Sequence, residues 1–191
     1  MDIQDAQSEV RSVYIGGFVG QLVLSIIWLV SAALGTWATP KASILVVLIG
    51  GFFSFPLLQI VLRLSGRRAR VSRENPFHWL GMQIALVLPF SMLLLVPVGL
   101  YRLNWFFPAL MVLVGAHYLP FASSYGMRMF LVLAGILIAM GVVIALYFPK
   151  SFTLGAWVTG LILFVFAWVG RSIATDLARI EEVKAGLQRT I

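Results

Sequence analysis

MFLVLAGILIAMGVVIALYF, residues Met129–Phe148, holds twenty consecutive residues without one Asp, Glu, Lys or Arg. About 20 apolar residues in a helix cross roughly 30 Å of hydrocarbon, so this run reads as a membrane span. Five further stretches share the property: Tyr14–Trp37, Ala42–Leu62, Phe77–Gly99, Leu103–Ala122 and Phe152–Gly170. The runs are continuously apolar, whereas barrel strands alternate with period two, so a β-barrel is excluded. The fold expected is an all-α polytopic membrane protein with six transmembrane helices. Residues 1–170 form one bundle with a short interfacial segment over 1–13. Residues 171–191 form a cytoplasmic amphipathic helix.

The first nine residues carry Asp2, Asp5 and Glu9, where a signal peptide would be basic, so no cleavable signal is expected. With no cysteine in the chain, disulfides, thiolate metal sites and cysteine nucleophiles are excluded. The net charge of +7 would suit nucleic acid, but the charges sort by side instead. If six helices alternate, Arg11, Arg63, Arg67, Arg68, Arg70, Arg73, Arg128, Arg171, Arg179, Lys184 and Arg189 share one side. Only Lys41, Arg102 and Lys150 share the other. That bias places both termini in the cytoplasm. Nucleic acid is therefore not an expected partner; the bilayer is, and Arg67, Arg68, Arg70 and Arg73 are candidates for contact with anionic lipid head groups.

Helix starts are punctuated by Thr39-Pro40, Asn75-Pro76 and Ser151, each putting a capping side chain at a span boundary. In the N-terminal segment Ile3, Val10 and Val13 share one side of a helix. Ile173, Leu177, Ile180, Leu187 and Ile191 do so at the other end, with Lys184 in the remaining slot. The latter helix would lie on the membrane, pack under the bundle, or pair with a second copy as a homo-oligomer. Gly16-x3-Gly20 and Ser31-x3-Gly35 read as helix-packing signatures within the chain.

Prolines interrupt the spans at Pro56, Pro89, Pro97 and Pro120. An interior proline removes a backbone hydrogen bond and clashes with the preceding turn. Gly51-x4-Pro56 and Gly115-x4-Pro120 look like matched weak points. They belong to a faint 64-residue repeat that also pairs Gly17 with Gly81 and Gly35 with Gly99. Interrupted helices in corresponding positions point to binding sites in transporters, so these residues are candidate hinges; static kinks are the alternative.

The polar side chains within the spans gather at one depth. Gln21, Gln59, Gln83 and His117 each lie a few residues from the cytoplasmic end of a different span, roughly 5–10 Å below the interface at 1.5 Å per residue. Tyr118, Ser123 and Tyr125 lie beside them, and His78 is at the rim. Gln21, Gln59, Gln83, His117, Tyr118 and Tyr125 are the candidate ligand-binding residues of a cytoplasm-facing pocket. The alternative is that they hydrogen-bond to one another as interhelical glue. The outer half of the bundle has only scattered Ser and Thr.

The segment Gly115-Ala116-His117-Tyr118-Leu119-Pro120-Phe121, followed by Tyr125, resembles the fourth span of an uncharacterised family of small six-span bacterial membrane proteins, a domain of unknown function. The resemblance implies a single helical bundle in a bacterial inner membrane. It brings no activity with it.

Two histidines without cysteine or carboxylate partners are too few for a zinc site, and no other cofactor is called for. Gly-x-Ser-x-Gly and His-Glu-x-x-His are absent, so an enzyme is not expected. Without carboxylates in the spans, proton or sodium coupling is not expected either. The function expected is binding or facilitative transport of a small neutral or weakly polar ligand. The alternative is a structural or assembly protein whose basic loop and C-terminal helix contact lipid or a partner.

Overall fold

A computed structural model describes residues 1–67 and 70–188, without the side chains of 184, 185 and 188. Arg68, the Lys184 side chain, Arg189 and Ile191 therefore lie outside the described residues. Among the residues described, all regular structure is helical. The helices are α1 (Ile3–Tyr14), α2 (Phe18–Trp37), α3 (Pro40–Phe52), α4 (Ser54–Leu64), α5 (Phe77–Ser91), α6 (Leu95–Tyr101), α7 (Phe106–Tyr125), α8 (Met129–Tyr147) and α9 (Leu154–Gln188).

Among the described residues five stretches are long and apolar enough to cross a membrane: α2 with its N-terminal extension, α5 with α6, α7, α8 and α9. A sixth results if α3 and α4, bent by 61° at Phe53, count as one broken span. The outward faces are apolar, with Ile26, Leu86, Phe90, Val132 and Val165 exposed, as a lipid-facing surface requires. This is a membrane-embedded helical protein.

Expected boundaries and observed ones mostly agree where chemistry fixes them. Thr39 accepts from the Ala42 N–H at 3.2 Å, with Pro40 in the first turn of α3. Asn75 Oδ1 accepts from the Phe77 N–H at 2.9 Å and starts α5. Ser151 is not the cap of the last span. It precedes Leu154 by a short bend, and its own N–H donates to Phe148 O.

The first span begins later than its apolar run does. Ile15, Gly16 and Gly17 all have positive φ (52°, 62° and 86°), which breaks the chain between α1 and α2. Left-handed backbone is ordinary for glycine and costly for a β-branched residue, so Ile15 holds strain at this corner. The corner turns α1 beneath the bundle. There it buries Ala6, Val10, Arg11 and Val13, while Ile3, expected on the same face, is exposed.

The prolines act unequally. Pro56 and Pro97 sit in the first turns of α4 and α6, where a missing N–H has no partner to lose. Pro89 lies near the end of α5, which gives way to a 3-10 turn over Met92–Leu94. Pro120 leaves α7 helical from Phe106 to Tyr125. The chain is therefore bent beside Gly51–Pro56, while Gly115–Pro120 lies within a continuous helix. Gly115 is held against α8, where a Cβ would come within 3.0 Å of Ala134 O.

The helices sort into two halves. α2, α7, α8 and α9 form a dense block, with Trp28, Phe107, Leu110, Leu133 and Leu163 fully buried. Its polar fastenings are hydroxyls. Ser25 donates to Gly160 O at 2.8 Å, and Ser31 and Ser43 each donate to the other's carbonyl at 2.8 and 2.6 Å, joining α2 to α9 and α3. α4 packs on α2 and α5 on α7, leaving space between them. The C-terminal segment expected as a separate helix is continuous with the last span in α9. Ile173 and Leu177 pack on the core, and Ile180, Val183 and Leu187 are exposed.

Candidate functional site

The space between the halves is a cavity of about 630 Å³, walled by α2, α4, α5 and α7 and by the segment that joins α4 to α5. That volume falls within the ~300–1,000 Å³ typical of small-molecule sites. Each wall follows from helical periodicity. Gly17, Gln21 and Leu24 recur at four- and three-residue intervals at the start of α2, and Tyr14 joins them from the end of α1. Phe77, Gly81, Ile84, Ala85 and Leu88 do the same on α5, and His117, Tyr118, Phe121, Ser124 and Tyr125 on α7. α4 contributes Ser54, Phe55, Leu58 and Gln59.

Of the candidate ligand-binding residues, Gln21, Gln59, His117, Tyr118 and Tyr125 line this one cavity. Gln83 does not. It is exposed on α5, two residues from both Gly81 and Ala85, and two residues are about 200° of helix rotation. Depth alone grouped it with the others; its azimuth turns it away. The hinge candidates Gly51 and Pro89 also line the cavity.

Polar groups in the cavity are under-satisfied. Gln21 is 2% exposed, yet neither atom of its carboxamide has a hydrogen-bond partner. His117 Nδ1 has none. The Gln59 carboxamide lies beside the Tyr14 hydroxyl without a hydrogen bond of good geometry. A buried polar group left unpaired costs about 1–3 kcal/mol. Hydrogen bonds between helices are made by Ser25, Ser31 and Ser43.

Around these groups stands an aromatic wall. Phe130, from α8, stacks on Tyr118 with 6.1 Å between ring centroids and lies 4.9 Å from Tyr125. Phe121 meets His117 at 5.2 Å and Tyr118 at 5.5 Å, both edge-on. Tyr14 reaches Tyr125 at 6.4 Å. Among the described residues no three His, Asp or Glu side chains gather as a metal site would need.

The rim is cationic and anchored. Arg70, Arg73 and His78 line the cavity where it meets the segment after α4. That segment is pinned to α1: Ser72 donates from its N–H and hydroxyl to the Glu9 carboxylate at 2.8 and 3.0 Å, and Asn75 Nδ2 donates to Glu9 and to Ala6 O. Val71 is buried, and its carbonyl lies 3.2 Å from His78 Nδ1. Of the arginines expected at the lipid surface, Arg70 and Arg73 line the rim. Arg67 is exposed away from it, and Arg68 is outside the described residues.

α1 also ties the far wall. Arg11, 9% exposed, donates to Tyr125 O and pairs with Glu181 of α9. Ser8 donates to Glu181, and Gln7 to Ser123 O. Arg11 counts among the topology-setting charges by sequence, and nothing local in the sequence signals its burial. Tyr14, Phe121 and Phe130 also line the cavity without being singled out by sequence, although Tyr14, Gly17, Gln21 and Leu24 are spaced as a stripe there.

No curated protein and no solved structure matches the chain. Residues 3–171, which contain every wall of the cavity, match the family described as a family of unknown function, DUF7010, and the chain belongs to it.

Proposed function

We propose that this protein is a membrane-embedded binding protein for a small ligand, with facilitative passage of that ligand as its activity. It reads best as a six-span protein of the bacterial inner membrane, both termini cytoplasmic. The Arg11–Glu181 contact between α1 and the end of α9 supports termini on a common side. The basic residues at the rim support that side being the cytoplasm.

The observation that carries the reading is the cavity with unpartnered polar atoms on two separate helices, Gln21 and His117, beside the Gln59 carboxamide of a third. Such groups are costly to leave bare and are repaid by a ligand with complementary donors and acceptors. Among the described residues no Asp, Glu or Lys lines the cavity, so the part of the ligand held inside the bundle is uncharged. Any flux then follows the ligand's own gradient.

A thermal-shift screen of the purified chain against uncharged and weakly polar compounds tests this. A true ligand raises the melting midpoint of the wild type and leaves the Gln21→Leu/Gln59→Leu/His117→Leu variant unmoved. Equal shifts in both proteins would reject the cavity as the site. In proteoliposomes, uptake of a confirmed ligand should saturate and ignore imposed proton or sodium gradients. A ligand that binds but never crosses would reduce the function to binding alone.

A further inference from the structure

The cavity is layered by polarity along its depth. Arg70, Arg73 and His78 stand at the rim; Gln21, Gln59 and His117 follow; Leu24, Gly51, Phe55, Leu88 and Pro89 close the inner end. From His78 to Pro89 the α5 wall rises roughly 16 Å at 1.5 Å per residue. The cavity also has an open side. Trp79 and Met82 line it while 66% and 48% exposed, and Phe55 on the facing helix is 41% exposed, so the gap between α4 and α5 faces the membrane.

We propose that the cavity takes a single-chain anionic amphiphile, its carboxylate or phosphate monoester at Arg70 and Arg73 and its uncharged chain running inward past Gln21, Gln59 and His117. This rests on the reading of the cavity as a binding site and specifies what fills it. Each layer contributes separately. The guanidinium groups offer charge-assisted hydrogen bonds to an oxyanion, and among the described residues neither is in an ion pair. Among the described residues no carboxylate lines the cavity, and the Glu9 carboxylate that pins the rim segment accepts from Ser72 and Asn75. The same arginines oppose a quaternary ammonium head, which the aromatic wall alone would attract. The middle layer suits an ester, amide or hydroxyl near the head. The open side between α4 and α5 lets the chain enter from the bilayer without crossing water.

The experiment measures equilibrium binding to the full chain in phosphatidylcholine nanodiscs, with binding to empty nanodiscs subtracted. The probes are dodecanoate, dodecyl phosphate, dodecanol and dodecyltrimethylammonium. Dodecanoate and dodecyl phosphate should bind saturably, dodecanol about tenfold more weakly, and dodecyltrimethylammonium more weakly still. Arg70→Gln/Arg73→Gln should weaken the two anions about tenfold and leave dodecanol and the melting midpoint unchanged. Gly81→Trp, which plugs the cavity, should abolish binding of all probes; Ala85→Leu is the second plug if the first does not fold. Dodecanol binding as tightly as dodecanoate, with both lost on plugging, would overturn the anionic head and keep the cavity as a site. Strongest binding of dodecyltrimethylammonium would overturn it likewise. Dodecanoate binding that survives both plugs would overturn the cavity reading itself. No binding of any probe would overturn the amphiphile, leaving the thermal-shift screen to decide the cavity separately.

Discussion

Where α7 crosses α8, glycine lets backbone meet backbone; where α4 faces α5, a cavity separates them. A Cβ on Gly141 would lie 2.9 Å from Pro108 O and 3.3 Å from Val112 N. A Cβ on Gly81 would meet nothing within 4 Å. In a bilayer, lipid tails are as apolar as leucine, so helices associate by close packing and hydrogen bonds and not by escaping water. The dense block has both, through Gly115, Gly141, Gly155 and Gly160 and through Ser25 and Ser31. Between α4 and α5 the described residues make neither, and α4 belongs to the span that is bent by 61°.

The largest expected break in that contrast is Gly141→Leu. The added side chain meets backbone that cannot rotate aside, and overpacking of this kind costs about 1–3 kcal/mol or more. Melting of the purified protein should fall strongly or the protein should fail to accumulate. A melting midpoint equal to wild type would mean that α7 and α8 are not in close contact. Arg11→Ala comes next. It strips a partner from Tyr125 O and from Glu181, and hydrogen bonds to charged groups are worth about 1.5–3 kcal/mol, with the half-exposed Glu181 drawing the value toward the lower end. Because Arg11 joins α1 to the ends of both α7 and α9, limited proteolysis should cut the variant earlier near residue 181. Unchanged cleavage would show that the α9 end is held by something else.

The two halves were unequally legible in the sequence. Uncharged length marks a span wherever it occurs, so Met129–Phe148 was found almost to the residue as α8. Asn75 and Thr39 marked helix starts for a local reason, a side chain reaching a free N–H. What failed to show depends on neighbours. Gly51-x4-Pro56 and Gly115-x4-Pro120 are spelled alike, yet one bends by 61° and the other stays helical. Gly51 has only the end of the Met92 side chain beside it, whereas Gly115 is clamped on the α8 backbone. The 64-residue repeat therefore sets matched residues in unmatched surroundings. Gln83 was misjudged because depth can be counted along a sequence, while azimuth needs the positions of the other helices. The hydroxyls of Ser25, Ser31 and Ser43 looked scattered and turn out to be fastenings, since no periodic pattern announces a partner on another helix.

Gln21→Leu reverses the sign. The carboxamide is buried and unpartnered, so removing it should raise stability by about 1 kcal/mol, the lower end of the cost of an unsatisfied buried group. The same change should weaken any ligand that uses the amide. A melting midpoint lowered by the substitution would mean that Gln21 is bonded, as the glue reading expects.

The smallest effect is also the cleanest comparison, because one substitution can be made in both halves. Gly81→Ala adds a methyl group to a helix facing open space. Relative to glycine, alanine favours a helix interior by roughly 0.5–1 kcal/mol through lower backbone entropy in the unfolded chain. With nothing to collide against, that gain should appear nearly whole. Gly141→Ala brings the same entropic gain, but its methyl would sit 2.8 Å from Val112 Cγ2 and 2.9 Å from Pro108 O, so the packing cost exceeds it. Midpoints should move in opposite directions for the two variants. If both rise, α7 and α8 have room to separate and the dense block is looser than its geometry. If both fall, α5 lies against another element and the cavity is closed.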